Sequence, residues 1–127
     1  MSKIRHIALT TNDLESSAEF YKGAFDLEEI SRNDEAVILT DGYIVFALLE
    51  FRADRYGGGR PGLHHFGIKI EDLNAVEDKM VALGGQEMVE YNRTYGNREG
   101  TEEDWVGEKK WMDPQGVAFD INPTGWG

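Results

Sequence analysis

With 127 residues the chain can bury one substantial core but is too short for two ordinary domains. Its 24 acidic against 13 basic residues leave a formal net charge of -11, which repels a phosphate backbone and argues against nucleic acid as a partner. Cysteine is absent, which excludes disulfides and thiolate nucleophiles, and no apolar run approaches the roughly 20 residues that span a bilayer, so no membrane partner is expected.

The amino terminus leads straight into a strand without an apolar signal segment, so a cytoplasmic location is expected. Residues 3–10 alternate as a half-buried strand does, and Asn12 or Asp13 can cap the helix that follows. Leu14, Ala18, Tyr21 and Phe25 share one face of that helix. Short strands are predicted at residues 27–31, 36–40 and 43–50, the last two joined by an Asp41-Gly42 hairpin turn. Glycines and a proline make residues 52–62 a linker. Beyond it, residues 63–70 read as a strand, and Leu73, Val76, Met80 and Leu83 form a helical stripe ending at Gly84-Gly85. Residues 87–93 read as the next strand. Residues 107–112 and 117–122 read as a hairpin around Asp113-Pro114-Gln115-Gly116. The acidic stretch between Tyr95 and Trp105 lacks periodicity and is the expected flap.

The two halves repeat one another. His6-Ile7-Ala8-Leu9 leading to Asp13-Leu14 is answered by His65-Phe66-Gly67-Ile68 leading to Asp72-Leu73. A repeat in so short a chain implies two half-size modules sharing one core. The expected fold is therefore α+β: two tandem βαβββ modules forming a curved mixed sheet around a metal-site cavity. Module one covers residues 1–51, the linker 52–62 and module two 63–127, as one domain.

Equivalent positions on the first strands of pseudo-symmetric modules point into one cavity, so His6 and His65 can converge on one ion. His64 precedes His65 on the same strand, where side chains alternate, and is read as structural, facing the other way. Asp120 is the only charged residue in 117–122, and a buried carboxylate is costly unless paired or bound to a cation. Two imidazoles and one carboxylate leave coordination positions open, a pattern suited to Fe(II), Mn(II) or a similar ion. Lys109-Lys110 reads as a strand with one exposed lysine.

These strand histidines, the Asp-Leu helix starts, Glu19-Phe20-Tyr21-Lys22 and Asp113-Pro114-Gln115-Gly116 before an acidic strand residue resemble the vicinal oxygen chelate superfamily. That group includes glyoxalase I, methylmalonyl-CoA epimerase, extradiol ring-cleaving dioxygenases, fosfomycin-modifying transferases and bleomycin-binding proteins. The resemblance covers nearly the whole chain. It implies a metal held by His6, His65 and Asp120, with Asp where the family more often has Glu. Fe(II) or Mn(II) is favoured, with Ni, Co or Zn as alternatives. The family's fourth ligand would fall near Phe46 or Ala47, neither of which can coordinate, which turns the comparison from a glyoxalase-type lyase or isomerase toward a ring-cleaving dioxygenase. Lys110 stands where ring cleavers carry a tyrosine, and Asn122-Pro123-Thr124-Gly125-Trp126-Gly127 resembles their tails. The implied function is a metal-dependent enzyme whose small-molecule substrate chelates the ion through two neighbouring oxygens. Lys110, Tyr91 and Tyr95 are the candidate proton donors, with Tyr43 and Val45 as pocket walls. By analogy the protein is expected to be a homodimer. The alternative is a metal-free antibiotic-binding protein of the bleomycin-resistance kind.

Overall fold

The computed structural model describes residues 1–52, 59–96, 100 and 104–127. Among them the chain forms eight strands and three helices, an α+β fold. Its contacts divide it into two units, His6–His65 and Met1–Arg5 with Phe66–Gly127.

In the first unit, β1 (Lys3–Thr11) leads into α1 (Leu14–Phe25), followed by β2 (Glu28–Arg32), β3 (Ala36–Thr40) and β4 (Val45–Glu50). The strands lie in the order β2-β3-β4-β1. β1 is parallel to β4, with His6 opposite Val45 and Ala8 opposite Ala47; the other pairs are antiparallel. Asp13 starts α1 as the repeat predicts: its Oδ1 accepts from the Ser16 N–H at 3.0 Å, satisfying one of the helix's orphan donors. At the turn between β3 and β4, Asp41 Oδ1 accepts from the Tyr43 and Ile44 amides, and Gly42 supplies the positive φ of 98°. The helix-facing core joins Ala18 to Val37, Leu39 and Leu48, with Leu14 and Tyr21 packed against it. Phe25, expected on the same face, is 62% exposed instead. It is the last residue of the helix, whose C-cap Asp26 already turns left-handed at φ 59°. Strand alternation sends His6, Ala8 and Thr10 to the opposite, buried face of β1.

In the second unit, β5 (Gly62–Lys69) enters at Phe66 and is followed by α2 (Leu73–Ala82), β6 (Gln86–Glu87), α3 (Val89–Tyr95), β7 (Lys109–Met112) and β8 (Ala118–Asn122). The order is β5-β8-β7-β6, with β5 parallel to β8. Asp72 caps α2 as Asp13 caps α1, accepting from the Ala75 N–H at 3.1 Å. Ile70, Trp111, Phe119 and Ile121 form this unit's core, with Leu73, Val76 and Met80 packed on it. The predicted strand over 87–93 is a correction: only Gln86–Glu87 is strand, and α3 follows. The reason is tertiary. The buried Asn92 amide accepts from the Lys110 N–H at 2.8 Å and donates to the Lys110 carbonyl at 2.9 Å, so it replaces a neighbouring strand at the edge of β7. In the tail, a Cβ on Gly125 would lie 2.6 Å from the Asn122 side chain, whose Oδ1 accepts from the Thr124 and Gly125 amides, so a larger residue there would have to displace that side chain.

Most of the predicted linker, and most of the interior of the predicted flap, lie outside the described residues. The flap's described flanks are packed: a Cβ on Gly96 would fall 2.8 Å from the Trp105 ring, and Trp105 is buried.

Removing either helix cap is expected to cost about 1 kcal/mol, so Asp13→Ala and Asp72→Ala should each shift the urea midpoint modestly. Leu48→Ala, at a fully buried core position, should cost about 3 kcal/mol in the same assay.

Candidate metal centre

His6 and His65 both belong to the first unit, and their rings meet: Nε2 of one lies 3.2 Å from Nε2 of the other. His6 is buried, and its Nδ1 lies 3.0 Å from the Val45 carbonyl across the β1–β4 pair. A carbonyl oxygen only accepts, so the His6 ring carries its proton on Nδ1 and presents a lone pair at Nε2. That tautomer can ligate a metal. The 3.2 Å separation tests the fit further: two nitrogens each about 2.1 Å from one ion, subtending roughly 100° there, lie about 3.2 Å apart. Small apolar side chains flank the pair. Val45 stands opposite His6, and Ala47 opposite Ala8, so no metal-binding side chain comes from that stretch of β4. Tyr43, a predicted pocket wall, sits in the β3–β4 turn and is about half exposed.

His64 does not simply turn away from His65. Its Nδ1 lies 2.8 Å from the His65 Nδ1, with the rings 5.0 Å apart between centroids.

In the second unit Asp120 is 0% exposed on β8 and pairs across the sheet with Lys110 on β7, whose ammonium is bonded to its Oδ1. Lys110 Nζ also lies 5.4 Å from the Tyr91 ring centroid, and Tyr91 is 4.8 Å from Tyr95. The three predicted proton donors thus form a chain of neighbours running from Asp120 along α3. The expectation of one exposed lysine is corrected: both are buried. They alternate across β7, so Lys110 meets Asp120 while Lys109 pairs with Glu77 on α2 at 2.7 Å and lies over Trp105.

Glu108 was missed by sequence reasoning. The residue is exposed over its length, but its carboxyl end turns in toward Asp120. Desolvation first, and then the neighbouring Asp120 charge, raise its pKa to about 7, against an opposing pull from Lys110. The signal lay two residues before Lys110, a spacing that puts Glu108 on the same side of an extended chain. Glu108 and Asp120 thus bring two carboxylates together in this unit, oxygen donors of the kind that hold a divalent ion.

A family model described as Glyoxalase/Bleomycin resistance protein/Dioxygenase superfamily matches residues 3–121. No curated protein sequence matches the chain. Among solved structures, a hypothetical protein from Bacillus halodurans C-125 is similar with TM-score 0.68 and 17% identity, over 95% of this chain and 93% of that one. A methylmalonyl-CoA epimerase variant from Streptomyces coelicolor, in complex with 2-nitronate-propionyl-CoA, gives 0.63 and 21%, over 94% of each chain. The Mn(II)-bound glyoxalase from Novosphingobium aromaticivorans gives 0.65 and 12%, over 96% of this chain and 40% of that one.

With its pKa raised in the fold, Glu108 favours the folded state most below its ordinary pKa of 4.5, and that contribution is lost as pH rises through about 7. In chelator-treated protein, the stability difference between wild type and Glu108→Gln should move against the wild type from pH 5 to pH 8. Because the residue is largely exposed, the expected change is on the order of 1 kcal/mol, measured by urea melts.

Proposed function

Because the chain belongs to the Glyoxalase/Bleomycin resistance protein/Dioxygenase superfamily, we propose that it is a metal-dependent enzyme acting on a small molecule that chelates a divalent ion through two neighbouring oxygens. His6, His65 and Asp120 are the proposed ligands. The observation that carries this reading is the Nε2–Nε2 distance of 3.2 Å, which suits two adjacent ligands of one ion. Strand register supports Asp120 as the third: Asp120 stands opposite Gly67, and alternation along β5 gives His65 the same face as Gly67.

When bound, such an ion supplies a Lewis acid that stabilises negative charge developing on the substrate oxygens. The protein's own groups divide the remaining work. Lys110 holds a proton at Nζ beside Asp120 and is the proposed general acid, while Tyr91 and Tyr95 wall the approach and are secondary donors. Val45 and Ala47 give the substrate a small apolar floor near His6. We favour Fe(II) or Mn(II), with Ni, Co or Zn as alternatives, and ring-cleaving dioxygenase chemistry over a glyoxalase-type lyase or isomerase, because no side chain of the β4 stretch beside His6 can ligate. A cytoplasmic homodimer completes the reading.

One observation favours a second reading. Lys110 already supplies a cation to Asp120, as a metal-free small-molecule binder would require.

The test is metal analysis of protein purified without chelator, followed by a screen of catechols, hemithioacetals and fosfomycin. One equivalent of a divalent ion and oxygen uptake with a catechol are expected. His6→Ala should lower the affinity for that ion at least about 100-fold, since removing a ligand exceeds the 10- to 100-fold cost of losing a group that only orients one. If neither purified protein nor titration with micromolar Fe, Mn, Ni, Co or Zn yields a bound ion, the metal-free reading replaces this one.

A further inference from the structure

We propose that His64 is a positioning residue, whose Nδ1 sets the ring orientation and tautomer of His65 so that His65 presents Nε2 beside Nε2 of His6. The inference rests on the metal-centre reading above. A histidine that ligates through Nε2 carries its proton on Nδ1, and the partner at Nδ1 fixes both the tautomer and the ring angle. For His6 that partner is the Val45 carbonyl at 3.0 Å. For His65 it is the Nδ1 of His64, at 2.8 Å with the rings 68° apart.

The repeat makes the difference between the two histidines informative. The residue preceding His6 is Arg5, which has donors and no acceptor, so module one cannot use the preceding side chain and uses the backbone of β4. The residue preceding His65 is an imidazole, whose Nδ1 accepts when that ring carries its proton on Nε2. Adjacent residues on a strand ordinarily project to opposite faces. A ring-to-ring hydrogen bond between neighbours is therefore a specific arrangement, and it holds His65 while its Nε2 meets His6 at 3.2 Å. Ligand roles are duplicated by the repeat; the groups that orient the ligands are not.

Three full-length proteins test this: wild type, His64→Phe, which keeps a ring without nitrogen, and His64→Asn, whose Oδ1 can accept in place of Nδ1. Competition titration with Mn(II) gives the affinity, and nitrogen-15 NMR of the zinc-loaded protein gives the His65 tautomer. We expect the proton of His65 on Nδ1 in wild type and His64→Asn, with affinities within about 3-fold of each other. In His64→Phe the affinity should fall about 10- to 100-fold and the tautomer should become mixed. Unchanged affinity and tautomer in His64→Phe, or a wild-type His65 protonated on Nε2 when loaded, would overturn the proposal. Should His64→Phe not fold, as judged by circular dichroism, His64→Leu takes its place. If wild type takes up no ion, the metal-centre reading fails, and the spectra of the unloaded proteins decide the positioning role. One His65 tautomer in wild type that becomes a mixture in His64→Phe upholds it, and identical spectra overturn it.

Discussion

The constraint that organises the second unit is a charge placed where water cannot reach it. Asp120 lies at 0% exposure on a strand between the core hydrophobes Phe119 and Ile121. An ionised carboxylate in such surroundings costs several kcal/mol unless a cation and hydrogen bonds compensate it. Lys110 answers from the facing strand, and holding Lys110 there has its own requirements. Its backbone is gripped on both polar groups by the Asn92 side chain, with Met88 donating a further amide hydrogen to its carbonyl. Residues that pattern as a strand instead coil into α3 to deliver Asn92. Desolvation, and after it the charge of Asp120, raises the carboxyl pKa of Glu108.

The first unit solves a different problem, that of aiming two imidazoles. A parallel β1–β4 pair places the Val45 carbonyl beside His6, and that bond leaves Nε2 as the ring's lone pair. The other faces of the same strands carry Leu9, Phe46 and Leu48, packed with α1. Strand alternation thus lets one stretch of chain build a core on one side and a set of donors on the other.

The superfamily is defined by a shape that accepts many reactions, so family membership constrains the scaffold more than the chemistry. What separates this chain from the pattern its sequence resembles is local. Val45 and Ala47 stand where another ligand would be expected, Glu108 adds a second carboxyl beside Asp120, and a lysine rather than a tyrosine faces the buried carboxylate.

Much was legible in the sequence because the signals are periodic or repeated. The doubled strand-Asp-Leu pattern located both capped helices, Asp41-Gly42 and the Asp113 turn located two hairpins, and the repeat and the lone charge in 117–122 singled out His6 and Asp120. These features depend on neighbours within a few residues, so the local chain determines them. The tertiary structure alone decided the rest. Whether residues 89–95 were strand or helix depended on Asn92 reaching Lys110, 18 residues away, and whether Lys109 was exposed depended on Glu77 across α2. His64 read as a residue turned aside until its ring was seen against His65, and nothing singled out Glu108 until its carboxyl was seen beside Asp120. The cost of a buried charge and the tautomer of an imidazole are set by what surrounds them in space, and no spacing along the chain records that.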